Sequence, residues 1–194
     1  MSLLPQSWYA RNAAEVARDL LGRHLKRGNV VLRITEVEAY LGPRDSAAHT
    51  RMGRTPRNAP MWGPGGHAYI YLCYGIHNML NVVTGDGDGA AVLIRSCEVV
   101  RGLAVVRRRR QGAEGPLLVA GPGKVGQALV LSTQLSGQAL FTPGGLELRE
   151  GTPVASIRSG ARIGIAYASR KDVHARLRFA DGESPCVTYR RALS

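Results

Sequence analysis

Ala13, Val16, Ala17, Leu20 and Leu21 fall at i, i+3, i+4, i+7 and i+8. That spacing predicts an amphipathic helix, with Asn12 as cap, Glu15 as its capping-box partner and Gly22 as the stop. Val30 to Leu41 changes to period-2 features rich in Val and Ile, which predicts a strand. Gly42 to Gly66 is an irregular stretch of Gly, Pro and Arg. A loop that long in a compact domain is functional or disordered. His67 to Cys73 and Asn78 to Thr84 predict a hairpin around Tyr74-Gly75-Ile76-His77, and Gly85-Asp86-Gly87-Asp88-Gly89 a turn. Ala90 to Arg95 is an apolar run closed by a charge, as in a buried strand. Glu98 to Arg110 and Lys124 to Leu131 read as helices on either side of a break at Gly121-Pro122-Gly123. Beyond Leu140, short strands are expected at Val154–Arg158, Arg162–Ala166, Leu177–Phe179 and Val187–Arg190. There is no internal repeat and no βαβ spacing, so the reading is an α+β chain forming one mixed domain over residues 1–194.

Charge adds a partner to this picture. Lys and Arg number 26 against 14 acids, a net charge of +12. Such an excess bears on partners rather than fold and points first to nucleic acid, ahead of an anionic membrane. Cys73, Cys97 and Cys186 are far apart and show no CxxC spacing, which argues against a disulfide framework or a thiolate zinc site. A reducing, cytoplasmic setting is expected. No apolar run has transmembrane length, and Met1 to Gln6 lacks the basic leader and apolar stretch of a signal peptide.

The chemistry concentrates between residues 33 and 81. On a strand, Glu36 and Glu38 share one face with Ile34 and Tyr40. They read either as a pair of exposed acids or as a cleft pair doing chemistry. Acids are scarce here and repel a polyanion, so their presence needs a reason. Hydrolysis of an N-glycosidic bond supplies one, because a single carboxylate can activate water and steady positive charge on the sugar. Tyr74 precedes Gly75 at the predicted hairpin tip, where an aromatic has little to pack against and can enter a base stack. Tyr40 and Tyr71 are placed to sandwich a flipped base, whereas Tyr69 reads as packing. Arg95 ends a buried run and needs a partner, Glu38 being the obvious one. The histidines (His24, His49, His67, His77, His174) lack metal-ligand spacing with one another. Gly121-Pro122-Gly123-Lys124 opens a helix, where free N–H groups and Lys124 could hold a phosphate, or forms a simple loop. Arg107 to Arg110 reads as a solvated face or a phosphate contact.

These residues resemble the alkyladenine (3-methyladenine) DNA glycosylase family. The match runs through Glu36-Val37-Glu38-Ala39-Tyr40-Leu41-Gly42-Pro43, Asp45, Ala47-Ala48-His49, Arg54-Thr55-Pro56-Arg57-Asn58, Tyr69-Ile70-Tyr71, Tyr74-Gly75, Asn81, and Gly87-Asp88-Gly89-Ala90 to Arg95. It continues at Gly121-Pro122, Lys124, Leu177-Arg178-Phe179 and Ser184-Pro185, and spans Ala10 to Arg190. The resemblance implies a curved antiparallel sheet flanked by helices, with a protruding β-hairpin that enters the minor groove. It implies Glu38 as general base, Arg95 as the arginine holding the water, and Tyr40, His49, Tyr71 and Asn81 as the base pocket. The His49 backbone N–H would read the purine edge, and Asn81 would crowd the amine of guanine. Tyr74 would intercalate, and Arg54, Arg57 and Lys124 would contact DNA. The implied partner is double-stranded DNA carrying damaged purines, bound by a monomer without metal or organic cofactor and without strand-cleaving chemistry. His77, one additional residue within Val83-Thr84-Gly85-Asp86, and Met61-Trp62-Gly63-Pro64 depart from the family pattern at the wedge and pocket edge. The rival readings are a metal-dependent nuclease using Glu36, Glu38 and a histidine, and a non-catalytic nucleic-acid-binding module with stacking tyrosines.

Overall fold

A computed structural model describes residues 1–194. The apolar stripe of helix α1 (Ala13–Leu20) buries Ala13, Val16, Ala17 and Leu20, and the Asn12 carboxamide accepts the Ala14 N–H at 2.8 Å. The strands are β1 (His24–Arg27), β2 (Val30–Tyr40), β3 (Ala68–Cys73), β4 (His77–Thr84), β5 (Ala90–Arg101), β6 (Leu146–Arg149), β7 (Ile157–Gly160) and β8 (Arg178–Asp181). They form one curled antiparallel sheet in the order β3-β4-β5-β2-β1-β6, with β8 pairing both β2 and β7. The α+β expectation holds. No helix is long and apolar enough to cross a membrane.

β2 is the spine of this sheet. One edge pairs with β5, while the other pairs with β1 over Val30–Arg33 and then with β8 over Glu36–Glu38. The change of partner coincides with a fault in register. Ile34 faces Cys97, Glu36 faces Ser96 and Val37 faces Ile94, which leaves Thr35 and Arg95 unopposed, one extra residue on each strand. A bulge of this kind switches which alternate side chains face the core. Accordingly Leu32 and Ile34 are in the core before the fault, and Val37 and Ala39 after it. On β5, Val92 and Ile94 give way to Cys97. The expectation that Ile34 shares a face with the glutamates is therefore wrong: the bulge turns Ile34 inward and sends Glu36, Glu38 and Arg95 to the opposite side of the sheet.

Helices α2 (Leu103–Arg109), α3 (Pro122–Ala128) and α4 (Arg170–His174) complete the chain. α3 lies against β4 so closely that a Cβ on Gly126 would sit 2.1 Å from the Asn78 carbonyl oxygen, and one on Gly123 2.8 Å from the His77 ring. The glycines of this segment therefore serve helix–strand packing. The Gly121 N–H is given to the Arg95 carbonyl and the Lys124 N–H to that of Gly121, so neither is free for a phosphate. The basic run is largely absorbed as well. Arg109 donates to the Ala128 carbonyl at 2.6 Å, Arg110 to that of Leu118 at 3.0 Å, and Arg27 to that of Leu129 at 2.6 Å. Arg109 and Arg27 satisfy carbonyls that the end of α3 leaves free and complement its dipole. Arg107 pairs with Glu114, which leaves Arg108 as the exposed, unpaired member.

Other boundaries moved. Glu98 to Arg101 continues β5, and only the later part of the expected helix is helical. The helix read at Lys124–Leu131 starts at Pro122 and ends at Ala128. Arg162–Ala166 and Val187–Arg190 are not strands, and Val154–Arg158 reduces to an overlap with β7. Both loop segments have alternating apolar residues, yet their backbone groups turn toward buried side chains instead of a neighbouring strand, as the site shows.

Candidate active site

Strand register places Tyr69 beside Asn81, Asn81 beside Leu93, Leu93 beside Glu38 and Glu38 beside Arg178. This transverse row crosses β3, β4, β5, β2 and β8, and most of it floors a cavity of about 480 Å³. Tyr40, His49, Met61, Tyr71, Met79 and Tyr167 form much of its walls, with Arg95 at one end and Tyr74 at the rim. A volume in this range suits a small planar ligand.

Glu38 is fully buried. Its Oε1 accepts the Ile163 N–H at 2.7 Å, its Oε2 accepts the Tyr40 hydroxyl at 2.9 Å, and Arg95 Nη1 lies 3.3 Å from Oε1. Burial pushes its carboxyl above the ordinary value, against the opposing pull of Arg95, the Ile163 N–H and Tyr40. Glu36 is equally buried but differently served. It accepts Arg95 Nε and Arg178 Nη1 at 3.1 Å each, the Ser96 hydroxyl at 2.6 Å and the Thr188 N–H at 2.8 Å. Burial alone would raise Glu36 too, but Arg95, Ser96 and Thr188 outweigh it and hold this carboxyl below its ordinary value. The two acids are thus neither exposed nor equivalent: the donors around Glu36 hold its carboxyl below the ordinary value, and burial holds that of Glu38 above it. Such opposed environments are how paired carboxylates acquire separate roles.

Around this pair, the side chains divide by task. The Tyr40 ring lies under Arg162, 4.8 Å from centroid to guanidinium carbon, and its hydroxyl is committed to Glu38. His49 Nδ1 is 2.9 Å from the Tyr69 hydroxyl, and its ring meets that of Tyr71 edge-on at 4.5 Å. Burial, with Arg57 and Arg51 nearby, pushes His49 down to about 4, so its ring is neutral at physiological pH. Its carbonyl is held by Asn58, while its N–H makes no hydrogen bond within the chain. Asn81 donates to the Tyr69 carbonyl at 3.2 Å. Tyr69, read from sequence as packing, also steadies His49. Arg57 sits over Tyr71 and donates to the Leu72 carbonyl, Arg54 is exposed, and the Lys124 amine donates to the Leu117 carbonyl at 3.0 Å.

Tyr74 stands apart. It is 89 % exposed, with φ +50° followed by Gly75 at +72° and an Ile76 N–H to Cys73 carbonyl bond of 3.1 Å. Two successive left-handed residues make the tight twisted turn that matches strand twist, but a tyrosine adopts it at a cost in strain. An exposed aromatic held in a strained turn is the pattern of a functional tip.

Sequence reasoning missed Ile163, Arg162, Arg178, Thr188 and Tyr167. Arg162 and Arg178 carried a usable signal, since each is an arginine between apolar neighbours and so needs a buried acid. The nuclease reading asks for Glu36, Glu38 and a histidine together, and no three His, Cys, Asp or Glu side chains are grouped as a metal would require.

The family model for methylpurine-DNA glycosylase matches residues 7–185. The chain is 52 % identical to the DNA-3-methyladenine glycosylase of Arabidopsis thaliana over 97 % of its own length and 75 % of that protein. Two microbial relatives carry the name 3-methyladenine DNA glycosylase provisionally. The one from Nitrosococcus oceani is 56 % identical over 98 % of this chain and 96 % of its own. That from Methanocella arvoryzae is 44 % identical over 98 % of each.

Proposed function

The chain belongs to the methylpurine-DNA glycosylase family, which makes it a DNA-3-methyladenine glycosylase, and we propose how its cavity carries out that reaction. A damaged purine rotates out of duplex DNA into the cavity, because a base inside the stack cannot be reached. Tyr71, His49 and Tyr40 wall the base. Asn81 crowds an exocyclic amine at the position where guanine carries one, and the free His49 N–H reads the purine edge. A water lies between Glu38 and Arg95. Glu38 takes its proton, the water oxygen bonds to C1′, and the bond from C1′ to the base nitrogen breaks with its electron pair going to the base. An alkylated purine already carries positive charge, so it departs neutral without a further proton. A deaminated purine departs as an anion that takes up a proton from solvent, and is a second substrate class. No lysine lines the cavity, which favours hydrolysis without strand cleavage. The enzyme acts as a monomer.

The observation that carries this reading is a fully buried carboxylate held directly behind an aromatic-walled cavity by three of its lining residues, Arg95 at 3.3 Å, Tyr40 and Ile163. Duplex DNA containing 3-methyladenine is expected to release free base at an undiminished rate in excess EDTA, with the strand intact until alkali is added. Immediate strand scission that EDTA abolishes would instead establish the nuclease.

Tyr74 is proposed to fill the gap left by the extruded nucleotide. Stacking of an aromatic on a base is worth about 1–3 kcal/mol, so Tyr74→Ala should weaken capture of lesion DNA roughly 5- to 150-fold. Affinity measured by fluorescence anisotropy checks this, and wild-type affinity with wild-type single-turnover rate would rule out the wedge role.

A further inference from the structure

Arg95 is the unopposed residue of its bulge, so ladder pairing does not fix its direction. Its Nε bond to Glu36 does. That bond leaves Nη1 facing Glu38 and Nη2 at 3.4 Å from the Thr188 hydroxyl. Both carboxylates are sealed, but all three partners of Glu38 (Tyr40, Ile163 and Arg95) line the cavity, whereas of the partners of Glu36 only Arg95 does, so Glu36 stands one layer further from a bound base. Arg178 makes the point sharper. Register sets it directly across from Glu38, yet its Nη1 goes to Glu36.

We infer that Glu36 is a positioning residue: it aims Arg95 at the reaction water and draws Arg178 away, so that Glu38 keeps the proton affinity a base requires. Two arginines meet two carboxylates here. Remove the charge of Glu36 and both arginines act on Glu38 alone. Glu38 would then be a more stable anion and a poorer base, and Arg95 would lose the bond that orients it. The inference rests on Glu38 being the base. The titratable and charged groups facing Glu38 are Glu36 and Tyr40 from its own strand, Arg95 from β5, Tyr71 from β3, Arg178 from β8, and Arg162 and Tyr167 from the segment after β7. Of these, Glu36 is the one negative charge beside it, and its effect on Glu38 is to raise the pKa.

The test is single-turnover release of 3-methyladenine, with enzyme in excess, as a function of pH for wild type, Glu36→Gln, Glu38→Gln, Thr188→Val and Thr188→Ser. Glu36→Gln should bind lesion DNA normally, lose about 100-fold in rate from misplacement of Arg95, and move the acid limb of its profile to lower pH. A merely structural role would leave that limb where it is, and an unmoved limb or an undiminished rate overturns the inference. If Glu36→Gln does not fold, Thr188→Val decides. It removes the hydroxyl that donates to Glu36 at 2.7 Å and accepts weakly from Arg95 at 3.4 Å, loosening the Glu36–Arg95 unit while keeping every charge. A rate lowered about 10-fold with the limb unmoved, recovered mostly by Thr188→Ser, supports the inference, and a wild-type rate for Thr188→Val overturns it. Release by Glu38→Gln at the wild-type rate would instead mean that the assignment of the base is wrong, whatever Glu36 does.

Discussion

Replacing Glu38 with glutamine is expected to slow single-turnover release of 3-methyladenine by about 1,000-fold, the scale of a lost general base. Glutamine keeps the shape, and its carbonyl oxygen can still accept from Ile163 or Tyr40, so the cavity should survive. Binding of lesion DNA should hold or tighten, because a buried carboxylate near phosphates has been neutralised. The pH profile gives a second readout. Burial pushes the Glu38 carboxyl up against Arg95, Ile163 and Tyr40. The base works only when ionised, so wild-type rate should fall as pH drops through a value above the ordinary carboxylate range. His49, held down near 4, stays neutral across that window and contributes no limb of its own there. Glu38→Gln should show no such limb. A mutant that keeps the acid limb would mean that another group titrates.

The largest stability effect is expected at Asp45, which lies outside the reacting groups. Its carboxylate pairs with Arg162 through both oxygens, Nη2 to Oδ1 at 2.9 Å and Nη1 to Oδ2 at 2.5 Å, and accepts the Leu41 and Ala47 N–H groups. Both side chains are essentially sealed, at 0 % and 2 % exposure. Arg162 also donates to the Ala39 carbonyl at 2.9 Å and precedes Ile163, whose N–H holds Glu38. Asp45→Asn leaves a buried guanidinium without its counter-charge, a loss of about 3–5 kcal/mol. Urea unfolding measures it. The double change Asp45→Asn, Arg162→Met removes the stranded charge and should recover part of the loss. A change below about 1 kcal/mol in the single mutant would show that solvent reaches the pair and the clamp is weaker than its geometry suggests.

Much of the scaffold was legible because periodicity survives where one face meets the core. α1 and β2 to β5 announced themselves in this way. β1 did not, since His24-Leu25-Lys26-Arg27 offers a single apolar residue. Its better signal was Gly28-Asn29 between flanking strands, a two-residue hairpin turn with Gly28 at φ +56°. β5 was cut short because its alternation changes phase at Arg95, and a broken period reads as a new element. The catalytic candidates were legible as residue types out of place: acids on a basic chain, and an arginine closing an apolar run. Their supports were not, because Ile163 acts through its backbone N–H, which every residue has, and Thr188 through its N–H and an ordinary hydroxyl.

The hydrogen bond between Glu36 and Thr188 joins positions 152 apart in sequence. Contacts this distant raise the contact order that slows folding. A nascent chain that has emerged only through β5 holds Glu36, Glu38 and Arg95 but neither Arg178 nor Thr188. Two acids destined for burial then face one arginine. The candidate cluster is therefore complete only once the chain has extended through Thr188 and the closing segment has docked.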